Sequence, residues 1–540
     1  MPVSSRSLSS LLAMLLLLSL TGCDDDPKPA TPDSGTPDAG PYVWDGTYTE
    51  MEDPGDWIDP GKPYAPCSFN SANASGNVCE DLSRFDVSQC DREALAALPQ
   101  EGIYQAIVRN EIALRDGGVR IIASDFGMRL RAEDAGTSTM FDEPLLQRDT
   151  QGGDFAVVGH LPQTATTFAV AGCKSPAPSV ITGCVATCRR GVFVRASTFE
   201  AHRVAKSGEP ESSGGLVPLS EHRAELGMAV DVFVTKGHAY VVSLRHLNQP
   251  GGLTVFDVSN PRAPLLKTSI TLPDNNDWNG VTAKDNALYI AGNGTGTLVY
   301  DISQPENPVF IRLMPSGDYG THTVFVDGNR LYTMGITTHV YDLATPLNPT
   351  LLTVISLPED DTGGGAHDAF LYENRLYISN SFGGYAVVDV SNLDDVRVLG
   401  RYLHPDQSFA HYSAVGTFGG KTIAFEGGEM SASHLRVLDV TDPARIVKIG
   451  EFRMRQVTSM HNMALRGNLL YVAWYQEGLR VLDVSNPTKP KQVAHYQTYR
   501  EEDPGRGDTY LEGAFGVRIP GDGFVYAADS ARGLLIFKEL

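Results

Sequence analysis

From Gly227 to the C-terminus the apolar residues fall into short alternating runs separated by Gly, Asn-Pro and Lys-Pro, the pattern of strands joined by tight turns. Met460–Arg466, Leu470–Tyr475, Leu479–Val484 and Gln492–Thr498 show one such set clearly. A phrase marks each recurrence: Gly-Leu-Thr-Val-Phe-Asp-Val-Ser-Asn-Pro at 252–261, Gly-Thr-Leu-Val-Tyr-Asp-Ile-Ser-Gln-Pro at 296–305 and Gly-Leu-Arg-Val-Leu-Asp-Val-Ser-Asn-Pro at 478–487. Its aspartates are Asp257, Asp301, Asp342, Asp389, Asp439 and Asp483, spaced 41 to 50 residues apart, and a seventh copy at Gly533–Phe537 carries Lys538 instead. Four strands per unit of about 45 residues is a propeller blade. The units 228–272, 278–314, 319–357, 364–404, 409–454, 459–498 and 510–540 predict a seven-bladed β-propeller, with a six-bladed count and an irregular end as the alternative. The last unit stops after three strands, so a strand from before Gly227 must close the ring, and Gly191–Phe199 is the candidate. The phrase aspartates read as structural, each carboxylate accepting backbone N–H groups of the turn that follows.

The phrase resembles the repeat of LVIVD-repeat proteins, exported bacterial and archaeal propellers named after this strand. The resemblance covers roughly residues 228–540. It implies a β-propeller, surface-exposed or periplasmic, and no particular reaction.

Ahead of the propeller the pattern changes twice. Residues 1–22 place Arg6 before the apolar run Leu11–Leu20, a charged region and a short hydrophobic region too short to span a bilayer. The run ends in Leu20-Thr21-Gly22-Cys23, which resembles the bacterial lipobox, so Cys23 is the expected lipidation site and 1–22 a lipoprotein signal peptide. Asp, Pro and Gly then dominate to Pro66, which predicts a disordered tether over 23–66. The segment 67–215 carries Cys67, Cys79, Cys90, Cys173, Cys184 and Cys188 and strand-like runs at 103–114, 119–130, 155–158, 166–171 and 192–199. A short helix over Arg92–Leu98, capped by Asp91, and a linker at Ser207–Gly215 complete this region. An even cysteine count in an exported chain predicts three disulfides among fifteen possible connectivities. The fold expected is therefore all-β: a disordered tether, a small disulfide-bonded β-rich domain and a C-terminal propeller.

Among the 540 residues, 65 acidic against 43 basic side chains give a formal charge of −22, which argues against a nucleic-acid partner. No Gly-x-Ser-x-Gly or His-Glu-x-x-His motif supports a hydrolase. The chemistry that stands out is a column of histidines. Four successive units begin their first strand with His322, His367, His411 and His461, and the other slots hold Asn279 and, approximately, Val230 and Phe515. First strands line a propeller's channel, so these imidazoles should converge. They either bond a neighbouring blade's backbone or hold a transition metal, Cu, Zn or Fe. Asp368 and Asn462 follow their histidines directly, and strand alternation places them on the opposite side. Calcium is disfavoured at Asn275-x-Asp277-x-Asn279-Gly280, because the twelfth loop position is Asn286 rather than Glu. Trp278, Trp474, Tyr475, Tyr319 and Tyr412 near blade ends either pack between blades or stack on a ligand.

Two functions from different classes fit. The first is a lipid-anchored recognition scaffold on the membrane's periplasmic or outer face, contacting an envelope or extracellular protein or a glycan. The second is an exported metal-dependent enzyme using His322, His367, His411 and His461.

Overall fold

Seven hydrophobic clusters, one between each pair of consecutive blades, define the C-terminal architecture. Val230, Tyr240 and Val255 of the first blade pack on Val281 and Leu288 of the second, and so on around the ring. The seventh cluster sets Tyr526, Leu534 and Ile536 of the last blade against Ala229, Val232 and Val241 of the first, closing a seven-bladed propeller. This computed structural model describes residues 43–540 apart from 73–75, 99–100, 133–135, 151, 317–318, 359–362 and 407.

Each blade is an antiparallel sheet in chain order. Blade 1 runs Met228–Thr235, His238–Leu244, Gly252–Asp257 and Leu265–Ile270, and blade 6 runs Met463–Arg466, Leu469–Trp474, Gly478–Asp483 and Lys491–Tyr496. Burial follows strand position. Gly252–Phe256 on the third strand are all buried, whereas Leu265–Lys267 on the fourth are exposed. The recurring phrase explains this order: its aliphatic residues fill the inter-blade cores, and its aspartate closes the next turn. Asp257, Asp301, Asp342, Asp389, Asp439 and Asp483 each accept the backbone N–H two residues on, at 2.7 to 3.3 Å. The prolines add a link between blades, since Tyr240 Oη donates to Pro305 O and Tyr289 Oη to Pro346 O at 2.9 and 2.7 Å.

Blade 7 has Ala514–Arg518, Phe524–Asp529 and Gly533–Lys538 from the C-terminus, and Pro218–His222 supplies its fourth strand by pairing with Gly533–Lys538. The closing strand is therefore not Gly191–Phe199, of which residues 192–199 belong to the strand Val192–Arg203 in the N-terminal sheet. Its β-rich sequence suits either place; what decides is that Pro218–His222 directly precedes the first blade. The expected linker is ordered as well, and Ser212–Ser213 pair with the outer strand of blade 6.

The N-terminal region is a nine-stranded sheet whose two edge strands, Glu143–Pro144 and Gln147–Asp149, are separated by two residues, so the sheet curls around one core. Tyr104, Phe126, Met128, Phe155 and Phe199 fill it. The helix spans Arg92–Ala97, and Asp91 accepts the Ala94 N–H. Val180–Arg189, a strand the sequence pattern did not mark, carries Cys184 and Cys188. Three disulfides, Cys67–Cys184, Cys79–Cys188 and Cys90–Cys173, tie the 67–90 segment to the sheet. They belong to an oxidising, exported compartment. Among the described residues no helix is long and apolar enough to cross a membrane.

Residues 43–66 differ from the disordered tether expected of them. Trp44 is buried, the Met51 N–H bonds Lys448 O, and Asp53 and Asp56 sit in a buried cationic cluster on blade 5. Composition alone predicts disorder here because it carries no information on a complementary partner. Arg436, wholly buried on a third strand, supplies it by bonding Asp53 and Asp56 at 2.8 Å each. Blades 6 and 7 repeat the device: Arg480 pairs with Glu209, and Arg532 with Glu221. Residues 1–42, including the expected signal peptide, Cys23 and the first part of the tether, lie outside the described residues.

Candidate metal centre in the propeller channel

The imidazoles of His322, His367, His411 and His461 form a continuous row, with ring centroids 4.0, 4.4 and 4.2 Å apart. Successive blades place them at the same position, and neighbouring slots are linked around the ring. Asn279 Nδ2 donates to His322 O at 3.0 Å, and Thr323 Oγ1 donates to His367 O at 2.8 Å. His461 Nδ1 lies 2.9 Å from Phe515 O, the slot of the next blade. A carbonyl only accepts, so that nitrogen carries the proton and Nε2 presents a lone pair. The Nδ1 atoms of His367 and His411 are buried without a hydrogen-bond partner.

The free nitrogens meet a carboxylate that the repeat pattern did not reveal. Glu429 stands on the turn between the second and third strands of blade 5. Its Oε2 is 3.7 Å from His367 Nε2 and 3.8 Å from His411 Nε2, and its Oε1 is 3.6 Å from His461 Nε2. The ligand atoms of His367, His411 and Glu429 all lie within 4.8 Å of one another. Two side chains fix the glutamate: Tyr475 Oη donates to Oε1 and Ser459 Oγ to the backbone carbonyl, both at 2.7 Å. Tyr475 holds φ of 28°, a conformation that aromatic residues rarely adopt. Burial and the adjacent carboxylate raise its phenol well above the ordinary range, so it remains a donor. His322 stands apart. Its Nε2 lies 3.2 Å from Asn279 Nδ2 and its Nδ1 3.2 Å from Asn293 Oδ1, so both ring nitrogens are engaged.

Burial lowers the pKa of all four imidazoles, taking His411 to about 3. Three neutral rings thus turn Nε2 toward one carboxylate, and His461, protonated at Nδ1, directs a lone pair at it. Lone pair against anion is repulsive, and a cation between them turns the same geometry attractive. Imidazole and carboxylate donors suit Zn, Cu or Fe(II), and backbone contacts to the second ring nitrogen are the usual way a protein orients such ligands.

Beneath the histidines the channel opens into a cavity of about 250 Å³ lined by Asp231, Asp368, Tyr412, Asn462 and Arg518, with His411 and His461 forming part of its wall. Strand alternation would turn the residue after each histidine away. The ladder instead slips at this point, between Ala229 and Asp231, Trp278 and Gly280, Gly364 and Asp368, Ala410 and Tyr412, and Ala514 and Gly516. Four of these slips insert one residue, as a β-bulge does, and the slip in blade 4 sets four residues against two; such irregularities re-aim side chains, and Asp231, Asp368 and Tyr412 line the channel. Burial pushes Asp368 up to about 8 and Tyr412 up to about 12.

The other residues singled out are structural in their contacts. Asn275 accepts from Trp278 Nε1 and Thr295 Oγ1, and Asp277 from the Arg245 N–H, so both side chains serve contacts within the fold. Trp278 and Trp474 are fully buried between blades, while Tyr319 is exposed.

Four segments match the LVIVD repeat, residues 226–271, 277–313, 363–404 and 459–498, which fall in blades 1, 2, 4 and 6. No curated protein shows significant sequence similarity to the chain. Among solved structures, the WD40 β-propeller domain of Doa1 is similar at 12% identity over 60% of this chain and 98% of its own, with a TM-score of 0.45. The WD40 repeats of RRP9 are similar at 9% identity over 61% and 99%, with a TM-score of 0.44. The computationally designed Ika8 protein covers 68% of this chain and 95% of its own at 10% identity, with a TM-score of 0.40. The chain carries four segments that match the LVIVD repeat and folds as a seven-bladed β-propeller with a disulfide-bonded N-terminal region.

Proposed function

We propose that this protein is an exported, lipid-anchored propeller that binds a divalent transition-metal ion in its channel, with His367, His411, His461 and Glu429 as ligands. One observation carries the reading: three Nε2 atoms from three successive blades stand 3.6 to 3.8 Å from the carboxylate oxygens of a single glutamate. A bound ion of this kind acts as a Lewis acid on whatever occupies a remaining coordination position. The chain's own contribution is orientation, through the slot-to-slot backbone contacts and through Tyr475 and Ser459 on Glu429. The anchor would be Cys23.

The test is metal content of the purified chain after incubation with Zn, Cu(II) or Fe(II) and dialysis, read by mass spectrometry. One ion per chain is expected, with a loss of 10-fold or more in affinity for His411→Ala and little change for His322→Ala. A protein that stays metal-free, or a His367→Ala/His461→Ala variant that keeps one ion per chain, refutes the reading. Labelling with a fatty-acid analogue, abolished by Cys23→Ser, tests the anchor.

A second reading, an interaction scaffold, rests on the blade edges. The outer strands of blades 5, 6 and 7 meet or are formed by residues 43–66, 212–213 and 218–222. Those of blades 1 to 3 leave Leu265, Val309, Phe310, Leu351 and Leu352 more than 40% exposed. Such a belt on a repeat scaffold fits an envelope or extracellular protein better than a glycan.

A further inference from the structure

Glu429 owes its place to a turn held largely from outside. The turn runs from Glu429 to His434 between the strands Lys421–Gly428 and Leu435–Asp439. Within it the Ser433 N–H bonds Met430 O at 3.0 Å, and Ala432 holds φ of 68°. A residue with a β-carbon keeps that left-handed conformation only where its surroundings impose it. Two outside groups do so. Thr458 O accepts the Ala432 N–H at 3.1 Å, and Asp56, 377 residues before Ser433, grips the far end of the turn.

Asp56 is 4% exposed, and its carboxylate meets both legs of the turn. Ser433 Oγ donates to Oδ2 at 3.1 Å, and His434 Nδ1 lies 2.9 Å from Oδ1. On the incoming leg, a β-carbon placed on Gly428 would stand 3.3 Å from Oδ2 and 2.6 Å from both Ser433 Oγ and Phe409 O, so only glycine lets the carboxylate and the two legs pack this closely. Asp56 is itself fixed. Its N–H bonds Asp406 Oδ2 and its Oδ1 accepts from Arg436 Nη2, both at 2.8 Å, while Arg453 donates to the carbonyls of Asp56 and Gly55 at 2.7 and 2.8 Å. Asp53, in the same segment, differs. Its partners Arg436, Tyr402 and Lys448 lie on strands of blades 4 and 5, and none belongs to the turn. Asp53 thus fastens the segment to the propeller, and Asp56 fastens the turn to the segment.

We propose that Asp56 is a positioning residue for the channel centre: through Ser433 and His434 it fixes the turn that aims Glu429 at His367, His411 and His461. Glu429 follows Gly428 directly, and a displacement of about 0.5 Å is enough to spoil a ligand set. The consequence for metal binding rests on the metal reading above; the hold on the turn does not.

Zinc titration against a chromogenic chelator, Cu(II) paramagnetic resonance, urea unfolding and amide hydrogen exchange of the full chain test this role. Asp56→Asn should weaken zinc binding 10-fold or more and alter the Cu(II) signal. It should also speed exchange across residues 428–434 beyond any change seen in Asp53→Asn. Ser433→Ala, which removes one hydroxyl, should weaken zinc about 3-fold with a urea midpoint close to wild type, and it decides the matter if Asp56→Asn does not fold. Asp53→Asn should lower the urea midpoint yet keep zinc affinity within about 2-fold of wild type. Wild-type zinc affinity in both Asp56→Asn and Ser433→Ala overturns the role, as does a loss in Asp53→Asn equal to that in Asp56→Asn, which would track stability alone. If the wild-type chain takes up no zinc, the metal centre falls by itself. Exchange across 428–434 then decides: faster in Asp56→Asn than in Asp53→Asn, it supports the hold on the turn, and unchanged, it removes it.

Discussion

Asp53→Asn tests how residues 43–66 are held to the propeller. The carboxylate accepts from Arg436 Nε at 2.8 Å, Tyr402 Oη at 2.8 Å and Lys448 Nζ at 3.3 Å. The three charged side chains are 4%, 0% and 1% exposed for Asp53, Arg436 and Lys448, so none can turn to water. Asparagine keeps the size but removes the charge. Arg436 retains Asp56 at 2.8 Å, and Lys448 retains Glu451 at 2.7 Å. Breaking one member of a buried pair costs about 3–5 kcal/mol, against about 0–1 kcal/mol for an exposed pair. The same segment supplies the control: Glu50 pairs with Arg445 where both side chains are more than half exposed, so Glu50→Gln should cost little. The nearby cations hold the Asp53 carboxyl below its ordinary range. Its contribution is therefore complete above the unfolded value near 4 and disappears as pH falls through the lower folded value. Urea unfolding followed by tryptophan fluorescence at pH 7 and pH 3 should show the variant less stable at pH 7 and closer to wild type at pH 3. The double variant Asp53→Asn/Arg436→Met should be more stable than the sum of the single effects. An Asp53→Asn penalty no larger than that of Glu50→Gln would show that the contact is incidental.

Three further outcomes follow from the same coordinates. Burial and the neighbouring Asp142 push Asp508 up to about 7 where the N-terminal sheet meets the segment between blades 6 and 7, so this group's stabilisation is full below pH 4 and lost as pH rises through 7. Asp508→Asn should flatten that part of the urea-midpoint profile between pH 5 and 8. Asp439 accepts from Tyr48 and Lys421 as well as from its own turn, whereas Asp257 serves its turn through Ser259, so Asp439→Ala should cost more than the roughly 1 kcal/mol expected of Asp257→Ala in thermal unfolding. Non-reducing peptide mapping should recover the pairs 67–184, 79–188 and 90–173, and replacing Cys67 and Cys184 by serine should cost about 2–5 kcal/mol.

The propeller was legible because seven copies of one pattern report the same physics seven times. The histidine column was legible for that reason too. Glu429 was not, since it occurs in one blade on a turn, and no repeat frames it. The register slips were equally hidden: alternation argued Asp368 out of the channel, and the irregularity that returns it leaves no residue type as its mark. The ordered 43–66 segment did leave a trace. Arg436 and Arg480 interrupt third strands that are otherwise aliphatic, and a buried guanidinium requires a carboxylate from elsewhere in the chain.

The arginines at the ends of blades 5, 6 and 7 also impose an order on assembly. Their acidic partners Asp53, Glu209 and Glu221 precede them by 383, 271 and 311 residues. A chain exported from its N-terminus delivers each of these acids before any of these bases, and contacts this distant form late. The last blade gains its fourth strand only when Gly533–Lys538 arrives to pair with Pro218–His222. Until the final residues emerge, the ring stays unlocked, and with it the channel where the imidazoles meet.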